Sequence, residues 1–172
     1  MCARTASSTS AASFRMSTGD IYNARRVDGR VLTSGQPTEE QLSAAAAEGY
    51  DTVVNLAPYD SDNALPDEAG LVRALGMTYH HLPVVWAGPT ESDFAAFEQV
   101  MAELPTDSRT LVHCAANFRV SAFYGLYAMK HLGWTAEQAE AFRASIWDTS
   151  EYPVWDAFVS QMQERVARAA PP

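Results

Sequence analysis

Short apolar runs alternate along this chain with longer segments in which apolar residues recur at helical spacing. The runs are bounded by Gly, Pro, Asp or Ser, which is typical of short buried strands. These strand-like runs cover 27–32, 51–56, 78–84 and 110–114. Helical spacing covers 38–48, 66–75, 90–104, 120–132, a segment that starts at Thr135, and the part of 147–168 that follows Pro153. This alternation predicts an α/β fold with a central, mainly parallel sheet flanked by helices.

Capping residues support several of these boundaries. Thr90 with Asp93 three residues later forms a capping-box pattern, which predicts that a helix begins there. Asp28-Gly29 is a turn signal inside the first run, so 27–32 is expected to be an edge strand. The segment 120–132 is apolar nearly all round and is therefore predicted to be the central helix. The glycines expected to end helices are Gly49, Gly76 and Gly133.

A length of 172 residues, of which 47% are hydrophobic, is that of one domain with a real core, expected over 19–168. Residues 1–18 are rich in Ser, Thr and Ala and lack the apolar centre of a signal peptide, so they are expected to be a disordered tail. Within that tail, Met16 resembles a natural start and is expected to be the biological one.

The charge and the cysteines narrow the class of protein further. A formal net charge of −9 without a Lys/Arg-rich run argues against binding to nucleic acid or to anionic membranes. No apolar stretch approaches the roughly 20 residues of a membrane span. The two cysteines, Cys2 and Cys114, give no sign of a disulfide, which favours a reducing, cytoplasmic location.

The segment 110–121 carries the chemistry. It reads Thr-Leu-Val-His-Cys-Ala-Ala-Asn-Phe-Arg-Val-Ser, which predicts a strand, a loop from Cys114 to Arg119, and a helix. A thiol attacks only as the thiolate, which inward loop amides, a helix N-terminus and Arg119 would all stabilise. Ser121 is expected to donate a hydrogen bond to the thiolate, and His113 to orient the loop through backbone carbonyls. The segment therefore predicts a nucleophile that also binds oxyanions.

This loop resembles the signature loop of the cysteine-dependent protein tyrosine and dual-specificity phosphatases. The closer resemblance is to a small bacterial group that includes the phosphatase domains of beta-lactamase-hydrolase-like proteins, and it covers about 20–158. Besides the loop, the segments that carry it are 21–23 and 33–38 as the N-terminal strand and turn, 53–56 as the next core strand, and 79–84 as the strand before the general-acid loop.

The resemblance implies a cysteine-phosphatase-like fold, a phosphorylated substrate and no cofactor. It implies hydrolysis of phosphomonoesters, including phosphotyrosine or phosphoserine/threonine, through a phosphocysteine on Cys114, with Ser121 assisting its breakdown. The residues that would bind the phosphate are Ala115, Ala116, Asn117, Phe118 and Arg119.

Two departures from that pattern leave alternatives open. Four residues separate Cys114 from Arg119 where these phosphatases have five, and Asn117 stands where a glycine is usual, so it is expected to take a positive φ. Ser121 nevertheless lies seven positions after Cys114, as in the phosphatases. The shorter spacing resembles rhodanese-type sulfurtransferases, whose cysteine carries a persulfide. A phosphate-binding pseudo-phosphatase without turnover is the third possibility.

Phosphatase chemistry also needs a general acid that protonates the leaving oxygen. No Asp follows the strand 78–84 directly, so the candidates are Asp93 and Asp62. Asp62 belongs to a long polar loop, 58–67, that is expected to fold over the site as a lid.

Three further residues are given supporting roles around the loop. Asn55 is expected to support the loop backbone, and Phe118 and Trp86 are expected to form walls of the pocket. His80 and His81 face opposite sides of one strand, and no Cys/His cluster indicates a metal.

Overall fold

A five-stranded sheet, described here from a computed structural model of residues 16–169, confirms the α/β prediction. Its strands are β1 (Arg25–Arg26), β2 (Val31–Ser34), β3 (Thr52–Asn55), β4 (Thr78–His81) and β5 (Thr110–His113). The spatial order is β1-β2-β5-β3-β4. Only β1 runs antiparallel to its neighbour, and the other four strands are parallel. Strand β5 therefore lies in the middle, where its C-terminal end is flanked on both sides.

Within the described residues, six α-helices cover the two faces of this sheet. They are α1 (Glu39–Ala47), α2 (Glu68–Ala74), α3 (Glu91–Glu103), α4 (Phe118–His131), α5 (Ala136–Ala144) and α6 (Pro153–Ala169). Successive residues of a strand face opposite sides, so Val112 belongs to the core with α3, α4 and α6, whereas Leu111 belongs to the core with α1 and α2.

Helix α4 is the central helix, as its apolar pattern predicts. It packs against α3, α5 and α6, and most of its residues are buried. Gly125 allows the closest of these approaches, because a Cβ at that position would lie 3.2 Å from the Cβ of Ala139 on α5. The predicted capping box of Thr90 and Asp93 is also confirmed. Gly49, Gly76 and Gly133 follow the ends of their helices, as predicted. All three have positive φ.

The edge-strand prediction was wrong in its detail. Residues 27–32 do not form one strand, because Asp28 Oδ1 accepts hydrogen bonds from the N–H groups of Arg30 and Val31 and closes a turn. The strands on either side, β1 and β2, form a hairpin. Residues 21–23, expected to be a strand, form a turn instead, in which Asn23 has a φ of 51°.

The start of the chain is described only from Met16. The predictions on residues 1–15, including Cys2, lie outside the described residues. Ser17 and Thr18, which the sequence assigns to the tail, instead begin a short 3-10 turn that Ser17 caps, and both residues bond to Glu48 after α1. Among residues 16–169, no helix combines the length and the apolar character needed to cross a membrane.

Candidate active site

The candidate site lies at the C-terminal end of β5, where the Cys loop (residues 114–117) leads into α4, so Arg119, expected in the loop, lies in the first turn of the helix. Cys114 is fully buried, and its N–H donates to the carbonyl of Ser34 at 3.3 Å. Strands β2 and β3 lie on either side, so the chain leaves the sheet at the edge where parallel α/β folds place their ligands. The start of the loop is thus fixed to β2 by a backbone hydrogen bond, without help from a side chain.

The carbonyl groups of Cys114 and Ala115 face hydrogen-bonding groups that lie outside the loop. Ala115 O accepts from Gln36 N–H and from Asn63 Nδ2, both at 3.1 Å, and Cys114 O faces the imidazole of His113 at 3.4 Å. In a trans peptide the carbonyl and the following N–H point in opposite directions, and no peptide among the described residues is cis. The N–H groups of Ala115 and Ala116 therefore point away from these partners, and both residues line the cavity described below.

Asn117 confirms the predicted positive φ, with a value of 68°. Its buried side-chain amide donates to Asn23 O at 2.9 Å and to Thr33 Oγ1 at 3.0 Å. The side chain of Asn117 therefore faces the hairpin. Only its backbone is free for the predicted role in phosphate binding. These bonds also explain how a residue other than glycine is held in this left-handed conformation.

Replacing Asn117 with alanine is expected to destabilise the fold by about 2 to 4 kcal/mol, because the left-handed conformation becomes unfavourable and two buried hydrogen bonds are lost. Urea unfolding followed by circular dichroism measures this. Asn117→Gly keeps the backbone conformation and loses only the bonds, so its cost should be smaller. An alanine variant as stable as the glycine variant would contradict the conformational part of the argument.

Arg119 brings a buried positive charge to the site. Its Nε donates to Val84 O at 2.9 Å, and its guanidinium carbon lies 5.2 Å from the centre of the Trp86 ring. Arg119 also lines an open cavity of about 710 Å³, together with Ala115 and Ala116. A guanidinium held in this way presents a fixed planar fork to an anion.

The polar loop 58–67 borders the same cavity. Asp60 and Asp62 line it, and Asn63 ties the loop to Ala115 O. This placement is the one expected of a lid over the site. Trp86 lines the cavity as predicted, and Tyr22, which the sequence did not single out, lines it too.

Phe118 is not a pocket wall. Its ring stacks on Trp147 with centroids 4.8 Å apart and planes 4° apart, and it also contacts Trp86 and Tyr152. The prediction for Ser121 needs correction as well. Ser121 Oγ donates to Phe118 O at 3.1 Å and accepts from Trp147 Nε1 at 2.9 Å, so its single hydrogen is not directed at the thiol.

Two other predicted roles also fail. Asp93 Oδ2 accepts from the N–H of Thr90, the N-cap of α3, in the capping box, and Asp93 is not among the residues that line the cavity. Asn55 does not support the Cys loop, because its Oδ1 accepts from Ala57 N–H and its Nδ2 donates to the hydroxyl of Tyr79.

Sequence reasoning missed a buried carboxylate behind the loop. Glu68 Oε2 lies 2.7 Å from Nε2 of His113, and the side chains are 5% and 0% exposed. Burial raises the pKa of Glu68, but the charge of His113 and hydrogen bonds from His113 and Gln36 outweigh that effect, so the pKa lies below its ordinary value. The only sign of this carboxylate in the sequence is its position in the first turn of the second helix, where an acidic residue is also favoured by the helix dipole alone.

Because folding lowers the pKa of Glu68, its ionised form stabilises the fold above the ordinary value of 4.5, and this contribution is lost as the pH falls through the lower folded pKa. The free energy of unfolding of Glu68→Gln should therefore be lower than that of the wild type at pH 6, and the gap should narrow below pH 4.5. Denaturant titrations at several pH values measure it. A gap that stays constant down to pH 3 would contradict the assignment.

No group of three or more His, Cys, Asp or Glu side chains suited to a metal ion occurs among residues 16–169. His81, one of the two strand histidines, pairs with Ala57 O at 2.5 Å.

Comparison with known proteins gives a consistent result. The family model described as "Beta-lactamase hydrolase-like protein, phosphatase-like domain" matches residues 23–130. A beta-lactamase hydrolase-like protein of Xylella fastidiosa is 31% identical over 103 residues, which cover 58% of this chain and 23% of that protein. The chain thus spans about a quarter of the length of this curated relative.

Solved structures agree with the fold. A DUF442 protein of Shewanella putrefaciens CN-32 is 34% identical, with a TM-score of 0.78, over 84% of this chain and 91% of that one. A variant of P. aeruginosa TpbA, solved in complex with pTyr, is 15% identical with a TM-score of 0.66, over 88% of this chain and 93% of that one. The second similarity shows a shared fold alone.

Proposed function

The chain belongs to the phosphatase-like domain family of beta-lactamase hydrolase-like proteins, and from this premise we propose that it hydrolyses phosphomonoesters at the Cys114 loop. The observation that carries the proposal is the cavity that Arg119, Ala115 and Ala116 line at the loop that begins with Cys114. A phosphate group matches these donors in charge and geometry.

The reaction proposed has two displacement steps at phosphorus. The Cys114 thiolate attacks the phosphorus, a sulfur–phosphorus bond forms, and the ester oxygen leaves with a proton from a general acid. Water then attacks the phosphocysteine, and the sulfur–phosphorus bond breaks to release inorganic phosphate and regenerate the thiolate. Arg119 and the loop amides stabilise the charge on the equatorial oxygens in both steps.

The supply of a thiolate nucleophile favours a reducing compartment, so we place the activity in the cytoplasm. The net charge of −9 argues against nucleic acid as partner, and a phosphorylated substrate is the partner proposed. What the full-length relatives do is not assigned to this chain, because it covers about a quarter of their length.

Asp62 is proposed as the general acid, because it borders the cavity on the loop that Asn63 ties to the Cys loop. Asp62→Asn is then expected to lower kcat for phenyl phosphate by about 100-fold and to change kcat for p-nitrophenyl phosphate little, since that leaving group needs no proton. Steady-state kinetics on both esters test this. Asp60→Asn, at the same cavity, is the matched control, and equal effects of the two variants on both esters would contradict the assignment.

Sulfur transfer is the second candidate function, favoured by the four-residue spacing between Cys114 and Arg119. In this reaction thiosulfate would donate sulfane sulfur to the Cys114 thiolate, sulfite would leave, and cyanide would remove the sulfur as thiocyanate. Assays of wild type and Cys114→Ser with p-nitrophenyl phosphate, and with thiosulfate plus cyanide, separate the two. Thiocyanate without phosphate release would select sulfur transfer, and Cys114-dependent phosphate release would support the proposal.

A further inference from the structure

The buried pair of Glu68 and His113 lies directly behind the Cys loop. Glu68 is the first residue of α2 and follows the loop 58–67, whereas His113 is the last residue of β5 and precedes Cys114. Charges buried this fully are costly unless they are paired and hydrogen-bonded. The other contacts of Glu68 and His113 therefore indicate which part of the structure the pair stabilises.

Two hydrogen-bonded paths lead from this one carboxylate to the Cys loop. Through Oε2 it accepts from His113, whose other ring nitrogen faces Cys114 O at 3.4 Å. Through Oε1 it accepts from Gln36 Nε2 at 2.6 Å, and the backbone N–H of Gln36 donates to Ala115 O. These two carbonyls belong to the peptides that carry the N–H groups of Ala115 and Ala116, the amides proposed to bind the phosphate.

Both ring nitrogens of His113 face acceptors. Nε2 faces a carboxylate and Nδ1 faces a carbonyl, and neither of these groups can donate a hydrogen bond. A ring that donates to both of them carries hydrogen on both nitrogens, as an imidazolium does. The titratable groups beside the pair are Tyr79 on β4, whose pKa is raised by burial and by Glu68 so that it stays a neutral phenol, and Cys114 in the loop.

We propose that Glu68 is a positioning residue that keeps His113 an imidazolium and thereby aims the amides of Ala115 and Ala116 at the oxyanion. This inference rests on the proposed function, since it explains how the phosphate nest is held. A glutamine at position 68 cannot replace the carboxylate, because only one of its two terminal atoms accepts hydrogen bonds. With its oxygen on Gln36, it would turn an N–H toward Nε2 of His113, which can accept that N–H only as a neutral ring; with its oxygen on His113, it would set an N–H against the donor of Gln36.

The first test is made on the wild type. Long-range ¹⁵N–¹H correlation spectra of the labelled protein at pH 7 should show both ring nitrogens of His113 protonated. A neutral tautomer there would overturn the proposal, and this measurement does not depend on whether any variant folds.

The second test compares Glu68→Gln with Glu98→Gln. Glu98 also accepts from a histidine and a lysine, His131 and Lys130, on the face formed by α3 and α4, and so serves as the matched control. Glu68→Gln should remove the imidazolium signals of His113, raise the Ki of inorganic phosphate about tenfold and lower kcat by a similar factor, whereas Glu98→Gln changes none of these. A folded Glu68→Gln with wild-type Ki and kcat would show a purely structural role and overturn the proposal.

The readouts also separate this inference from the proposed function. The histidine spectrum and the binding of inorganic phosphate, measured by calorimetry, require no turnover. A wild type that binds phosphate but does not hydrolyse phosphomonoesters would contradict the proposed function, while loss of that binding in Glu68→Gln would still support the positioning role.

Discussion

Cys114→Ser is expected to lower kcat/KM for p-nitrophenyl phosphate by on the order of 10³-fold or more, because a hydroxyl at this position is a far weaker nucleophile than a thiolate. Binding of inorganic phosphate should change little, since the proposed donors are Arg119 and the loop amides. Calorimetry with phosphate and steady-state kinetics together separate loss of chemistry from loss of binding.

Cys2→Ser is the matched control, because Cys2 is the other cysteine of the chain. This variant should keep wild-type activity and should still be inactivated by iodoacetamide. Because Cys114 is then the one remaining cysteine, this inactivation reports on Cys114 alone. Phosphate release that persists in Cys114→Ser would contradict the phosphocysteine mechanism and point to a water nucleophile.

The second large effect is expected for Arg119→Lys, which should lower kcat/KM by about 10² to 10³-fold. Lysine keeps the charge but loses the planar fork, the Nε bond to Val84 O and the contact with the Trp86 ring. The Ki of inorganic phosphate, measured in parallel, should rise as well. Because the charge is kept, the expected loss of activity is due to the lost geometry.

Arg165→Lys supplies the control for this substitution, because Arg165 is an exposed residue that pairs with Glu91. Its kinetics should match those of the wild type. If Arg119→Lys retained wild-type kcat/KM, a point charge would suffice and the bidentate binding proposed here would be wrong.

Features set by neighbouring residues could be predicted from the sequence. The capping box of Thr90 and Asp93, the positive φ of Asn117 and the strand–loop–helix around Cys114 all depend on local geometry, and the structure has each of them. Burial of β3 and β5 also followed from their apolar runs. These patterns place the nucleophile at the C-terminal edge of the sheet.

Features set by distant partners could not be predicted. Ser121 bonds to Trp147 from another part of the chain, Asn55 bonds to Tyr79, and Phe118 stacks on Trp147. Each side chain has the right chemistry for the role expected of it, but packing gave it a different neighbour. Glu68 was overlooked for the same reason, since its partner His113 lies 45 residues further along the chain.

The contact between Trp86 and Arg119 has a practical consequence. Trp86 lines the cavity, lies 5.2 Å from the guanidinium and packs against Trp147 and Trp155. Indole emission responds to nearby charge and to solvent, so an anion that binds Arg119 is expected to alter the fluorescence of this aromatic group. The protein thus carries its own optical reporter, with which oxyanions can be ranked by affinity without labels and without any turnover.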